Sequence, residues 1–307
     1  IMDRRHFNLM LGATLVMSTQ ASAAGVFLNY TQQELDDAYD QAKWAPNSKE
    51  VIARYATDSA AVRQKYPPKT EKFGPTEAET LDIFAPQGAK DLPVMVFIHG
   101  GAWRALTKDD ASAPAPTFVE NGCIYVALNF AVIPAVRLPD MAQQCRAAMV
   151  WVHKNIARFG GDPNRIFVSG HSSGGHLCGV IATTDWTKFG GPADLLKGAV
   201  PMSGMYDLYP VMLSQRSSYV KLSPEEVVAL SPMRHLEQIT FPVLVVHGDK
   251  ETPEFQRHSR EFATALAGMG KLAGSIVLSG KNHFEVPEEL NRADTEVSKA
   301  VLKLMKG

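Results

Sequence analysis

The segment Gly170-His171-Ser172-Ser173-Gly174 sets a hydroxyl between two glycines, after the apolar run Arg165 to Ser169 and before a helix-like stretch that continues through Gly175, His176, Leu177 and Val180. A strand, a sharp turn and a helix with serine at the apex form a G-x-S-x-G elbow. The glycines remove the Cβ atoms that would clash where the chain reverses, and the serine hydroxyl is left exposed. Ser172 is therefore a candidate nucleophile toward an acyl group. An alcohol needs a base within hydrogen-bond reach, and the base needs a third group to fix its tautomer. His283, in Gly280-Lys281-Asn282-His283-Phe284, stands between the last predicted strand and the terminal helix, where a base should follow in chain order. The other histidines have structural accounts. His153 and His258 fall in predicted helices, His235 in a long insertion, His247 at a strand end, and His171 and His176 beside the elbow, where they should support its shape. For the acid, Val246-His247-Gly248-Asp249-Lys250-Glu251-Thr252-Pro253 offers Asp249 and Glu251. The residues alone leave both open, since an aspartate after a glycine also suits a turn.

An attacked carbonyl becomes an oxyanion, and each backbone N–H aimed at it contributes about 3 kcal/mol of transition-state stabilisation. His99-Gly100-Gly101-Ala102-Trp103 follows the apolar run Val94 to Ile98, and its paired glycines let the main chain approach a substrate closely. Gly101 and Ala102 are the expected donors, completed by the Ser173 N–H from the elbow. Gly100 and Trp103, on the same loop, are expected against the substrate.

These segments need a frame that brings strand ends together. Strands are predicted at Thr80 to Ala85, Val94 to Ile98, Cys123 to Asn129, Ile166 to Ser169, Gly198 to Met202, Val243 to Val246 and Ser275 to Leu278. Helices alternate with them at Met141 to Phe159, after the elbow, at Pro253 to Met269 and from about Pro287. That alternation predicts an α/β fold, a mostly parallel central sheet with helices on both faces. Residues 24–75 read as an N-terminal helical arm, with helices at Thr31 to Gln41 and Ser48 to Tyr66, and residues 76–307 as the catalytic domain. Within it Met205 to Thr240 carries Tyr206, Tyr209 and Tyr219 but no convincing strand, and is expected to form a helical cap over the strand ends.

The chain has 307 residues, a formal net charge of -1 and 45% hydrophobic residues, enough for a sizeable core. The absence of a basic run excludes an electrostatic footprint for nucleic acid or anionic lipid, so the expected partner is a small molecule, not a membrane. Cys123, Cys145 and Cys178 are widely spaced in apolar settings and read as buried thiols, with one disulfide as the alternative. No cofactor and no metal is expected. Arg4-Arg5, the short apolar run Leu9 to Met17 and Ala21-Ser22-Ala23 read as a cleavable export signal over residues 1–23, of twin-arginine type, which predicts a periplasmic or secreted protein.

The strand-His-Gly-Gly-x-Trp segment, the Gly-His-Ser-Ser-Gly-Gly-His elbow and the Gly-Asp-Lys-Glu-Thr-Pro-Glu-Phe loop together resemble the α/β-hydrolase superfamily. They are most similar to the branch of arylformamidases (kynurenine formamidases) and hormone-sensitive-lipase-like carboxylesterases. The resemblance runs from about Glu79 to the C-terminus. In that branch the acid usually stands in a Gly-x-x-Asp/Glu-Ser/Thr-Pro-Glu-Phe segment, which favours Glu251 over Asp249. It implies a serine hydrolase acting on small or aromatic carboxylic esters through an acyl-enzyme, with Ser172, Glu251 and His283 as the triad. Aryl formamide or amide hydrolysis is the alternative chemistry, and a non-catalytic binding protein on the same scaffold is the alternative class. Two departures set this chain apart: the export signal is unexpected for a formamidase of tryptophan catabolism, and Ala102 stands where the branch often has a larger aromatic residue.

Overall fold

A computed structural model describes residues 25–307; the expected export signal at 1–23 lies outside them. The strands are β1 (Lys69–Lys72), β2 (Thr80–Phe84), β3 (Leu92–Ile98), β4 (Ile124–Leu128), β5 (Gly161–His171), β6 (Leu196–Met202), β7 (Val243–Gly248) and β8 (Leu272–Leu278). They form one sheet in the order β1-β2-β4-β3-β5-β6-β7-β8. Only the β1/β2 and β2/β4 pairs are antiparallel. The expected mostly parallel sheet is what forms.

Burial on both faces explains why the central strands read as unbroken apolar runs. Along β3 the side chains alternate, with Val94, Val96 and Ile98 entering one core and Met95 and Phe97 the other. The first core takes Met149 from α4 (Leu138–Asn155), Leu177 and Ile181 from α5 (Ser173–Ala182) and Phe262 from α9 (Pro253–Gly268). The second takes Phe118 from α3 (Ala115–Val119) and Val301 and Met305 from α10 (Glu296–Lys306). Helices α1 (Gln32–Ala38) and α2 (Ser48–Lys65) precede the sheet. Between β6 and β7 the chain forms α6 (Leu208–Leu213), α7 (Ser217–Val220) and α8 (Pro224–Ala229). The Met205 to Thr240 stretch holds these three short helices and two 3₁₀ turns. All three cysteines are buried free thiols.

Three local readings need correction. Strand β1 escaped the sequence reading because Lys-Thr-Glu-Lys has no apolar residue for a period to act on, and its side chains are mostly exposed on the sheet edge. Charged residues there discourage pairing with another sheet. The terminal helix begins at Glu296, not near Pro287. Pro287–Leu290 makes only a 3₁₀ turn, and Thr295 Oγ1, accepting the Ser298 N–H at 3.0 Å, caps the true start. The first helix ends at Ala38, where the Asp40 carboxylate accepts the Ala42 N–H and opens a separate 3₁₀ turn, Gln41–Trp44.

Candidate active site

Strand β5 ends at His171 and α5 begins at Ser173, so Ser172 alone turns the corner. Its φ of 59° and ψ of -122° lie in a region that L residues rarely adopt, at a cost of about 1–3 kcal/mol. The surroundings enforce that conformation. The Ser172 N–H donates to Met202 O at 3.0 Å, and α5 starts so close to β3 that a Cβ at Gly174 would lie 2.1 Å from Ile98 O.

Three loops at the same sheet edge meet at this corner. Ser172 Oγ lies 2.8 Å from His283 Nε2, and His283 Nδ1 lies 2.8 Å from Glu251 Oε2. With Nδ1–H donating to the carboxylate, Nε2 presents its lone pair to the serine hydroxyl. The second carboxylate oxygen, Oε1, accepts the Ser203 hydroxyl at 2.5 Å and the Gly248 N–H at 2.7 Å. Ser172, Glu251 and His283 are all buried. Asp249 does not meet the imidazole; its Oδ1 accepts the Gly280 N–H at 2.8 Å and ties the β7 loop to the turn after β8.

The loop after β3 curls back on itself, with the Arg104 and Ala105 N–H groups both donating to Gly101 O at 3.0 Å. Gly101 has φ 105°, and a Cβ there would lie 2.1 Å from Ala105 O, so only glycine fits. Ala102 and Trp103 follow with φ of 55° and 62°. Neither the Gly101 nor the Ala102 N–H has a hydrogen-bond partner among the described residues. The Ser173 N–H belongs to the first turn of α5, which lacks a side-chain cap. Gly101 and Ala102 line the cavity in front of Ser172. Gly100 and Trp103, expected against the substrate, do not. A Cβ on Gly100 would lie 2.9 Å from His171 O, so this residue packs behind the elbow. The Trp103 ring is 1% exposed because its indole N–H turns inward to donate to His176 Nδ1 at 3.2 Å.

Besides His171 and His176, which the sequence analysis set beside the elbow, several supports were not singled out from the sequence. Ser203, directly after β6, could have been found only by asking which strand end faces the acid loop. His171 donates from Nε2 to His283 O at 2.8 Å and so fixes the backbone of the base. Burial and the adjacent His283 ring hold the His171 imidazole well below its ordinary pKa of 6.5. His176 joins the Trp103 indole to Leu230 O, 2.8 Å from its Nε2, and burial pushes it down to about 4. The N-terminal arm fastens both functional loops. Gln41 Oε1 accepts the Thr252 N–H at 3.2 Å, Asn47 Oδ1 accepts from Asn282 Nδ2 at 2.7 Å, and the Tyr55 hydroxyl donates to Phe284 O. The cavity has a volume of about 460 Å³ and is lined by Ser172 and His283 together with Ala102, Arg104, Arg216 and Phe284.

Comparison with known proteins agrees with this architecture. The BD-FAE family model matches residues 81–266. Kynurenine formamidase of Danio rerio is 28% identical over 288 residues, covering 90% of this chain and 97% of that protein. Esterase LipQ of Mycobacterium tuberculosis is 31% identical over 227 residues, covering 63% of this chain and 54% of that protein. The crystal structure of a putative thioesterase from Silicibacter superposes with a TM-score of 0.77 at 23% identity, over 89% of this chain and 99% of the other. The chain belongs to the BD-FAE family and is an α/β-hydrolase of the arylformamidase and carboxylesterase branch.

Proposed function

We propose that this protein is a serine hydrolase that cleaves carboxylic esters of small or aromatic compounds through an acyl-enzyme. The observation that carries the proposal is the unbroken chain of two 2.8 Å contacts from Glu251 through His283 to Ser172 Oγ, beneath a cavity large enough for a small molecule. Ser172 Oγ attacks the carbonyl carbon while His283 Nε2 takes its proton, and Glu251 holds the imidazole and balances the charge it gains. The oxygen of the tetrahedral intermediate takes hydrogen bonds from the Gly101, Ala102 and Ser173 N–H groups. Collapse expels the alcohol, which receives the proton from His283. Water, activated by the same imidazole, then releases the acid and restores Ser172. Exchanging Ser172 for alanine should reduce turnover of 4-nitrophenyl esters by at least about 10³-fold. A purified, folded variant that keeps its esterase rate sinks the proposal.

Hydrolysis of aryl formamides is the second reading. It is supported by similarity to a kynurenine formamidase along nearly the whole of that protein, and the same machinery would release an arylamine. Turnover of a panel of 4-nitrophenyl esters, aryl formamides and anilides separates the two. We also propose that the protein is exported by way of residues 1–23. Fractionation of cells carrying Arg4→Lys and Arg5→Lys together tests this, the expected result being retention of the unprocessed chain in the cytoplasm.

A further inference from the structure

Arg216 lines the Ser172 cavity at the residue that opens α7, and only 9% of its surface is exposed. Its Nε and Nη2 both donate to a single acceptor, Tyr39 O, at 3.1 and 2.8 Å, while Nη1 reaches the Tyr219 hydroxyl at a long 3.5 Å. A guanidinium has five N–H donors. Two therefore lack a partner among the described residues. Neighbouring arginines differ: Arg234 pairs with Asp207 and Arg257 with Glu254, whereas Arg216 meets no carboxylate among the described residues. Asp40 is the acidic side chain in the cavity lining, and its Oδ1 already accepts the Ala42 N–H. The mouth adds a second cation, Arg104, whose guanidinium lies 4.3 Å from the Tyr219 ring centre.

A buried charge is costly unless something of opposite sign completes it. Aromatic rings do part of this. The Arg216 guanidinium carbon is 5.8 Å from the Trp103 ring and 5.8 Å from the Phe255 ring. Phe255 is also the link to the chemistry, because its ring centre lies 4.8 Å from that of His283. Arg216 is thus one aromatic ring away from the base, with two N–H groups unused.

We propose that Arg216 anchors a carboxylate on the substrate, so that the preferred substrates are esters or amides that carry a free carboxylate a few bonds from the scissile carbonyl. This rests on the Ser172 mechanism above. Two N–H groups of one planar guanidinium match the two oxygens of a carboxylate, and such charge-assisted pairs are stronger and more directional than neutral hydrogen bonds. Binding would neutralise the one buried cation that the described part of the cavity leaves unpaired.

The test uses two matched pairs of probes, each normalised to its rate of alkaline hydrolysis. Mono-4-nitrophenyl glutarate against 4-nitrophenyl pentanoate places the charge on the acyl side. 4-Acetoxybenzoate against 4-methylphenyl acetate places it on the leaving group. We expect kcat/KM to favour the anionic member of at least one pair by about tenfold or more, and the Arg216→Gln variant to lower that ratio by a similar factor, mainly through KM. The ratio within one variant is insensitive to how much of the preparation is folded. No anionic preference in either pair for the unaltered protein, or a preference that Arg216→Gln leaves in place, overturns the inference. If Ser172→Ala still hydrolyses the neutral esters, it is the mechanism that has failed; Ser172-dependent hydrolysis without charge preference removes only the role of Arg216.

Discussion

Ser203 Oγ donates a 2.5 Å hydrogen bond to Glu251 Oε1, the oxygen turned away from His283. Ser203 reaches that position with φ of 50°, at the first residue past β6, while its N–H donates to Val246 O at 2.8 Å. The β6 and β7 ends are thereby joined through the acid. A hydrogen bond to a charged group contributes about 1.5–3 kcal/mol. Ser203→Ala should therefore lower kcat by about tenfold or more while KM for a neutral ester changes little. An unchanged kcat would show that Glu251 is positioned without Ser203.

Asp249 and Glu251 are two residues apart but face different neighbours. Glu251→Gln keeps the shape of the side chain yet cannot balance an imidazolium, so kcat should fall by about 10²–10⁴-fold. Asp249→Asn weakens only the bond to the Gly280 N–H, with an expected loss of stability of about 1 kcal/mol and less than about fivefold in kcat. Steady-state kinetics of both variants, with urea midpoints, decide the matter. A larger kinetic loss in Asp249→Asn contradicts the assignment.

Buried histidines should make the fold sensitive to mild acid. Burial pushes His99 and His176 from 6.5 down to about 4, and His171 and His258 are also held well below 6.5. Between those limits the unfolded chain binds protons that the folded chain refuses. Each such group thus contributes stability that is fully present above 6.5 and is lost as pH falls toward its folded value, with a slope of up to about 1.4 kcal/mol per pH unit. Carboxylates with lowered values, such as Glu34, act below 4.5 and leave this window to the histidines. Urea midpoints should fall clearly between about pH 7 and about pH 5; a flat profile contradicts the burial of these rings as neutral species.

Much of this arrangement was legible in the sequence because the relevant features are local. Ser172 stands in an elbow whose flanking strand and helix are strongly patterned, and His283 and Glu251 lie in short loops after apolar strands. The residues of the loop alone left Asp249 and Glu251 both open, and the family motif favoured Glu251; the fold then turns the Glu251 carboxylate toward the imidazole. Trp103 misled for a related reason. An aromatic residue beside two glycines looks like a substrate contact, but its left-handed backbone turns the indole under the loop to His176. Ser203, Asn47 and Tyr55 gave no signal because their partners lie 48, 235 and 229 residues away. The β1 strand was invisible for lack of any apolar residue.

The central claim is that Ser172 carries the covalent intermediate, and mapping the site of a fluorophosphonate label tests it most directly. The folded protein should be labelled stoichiometrically, with the added mass confined to the peptide containing Ser172, and Ser172→Ala should take up no label. A label on any other residue, or continued ester hydrolysis by a protein that cannot be labelled at Ser172, would contradict the account.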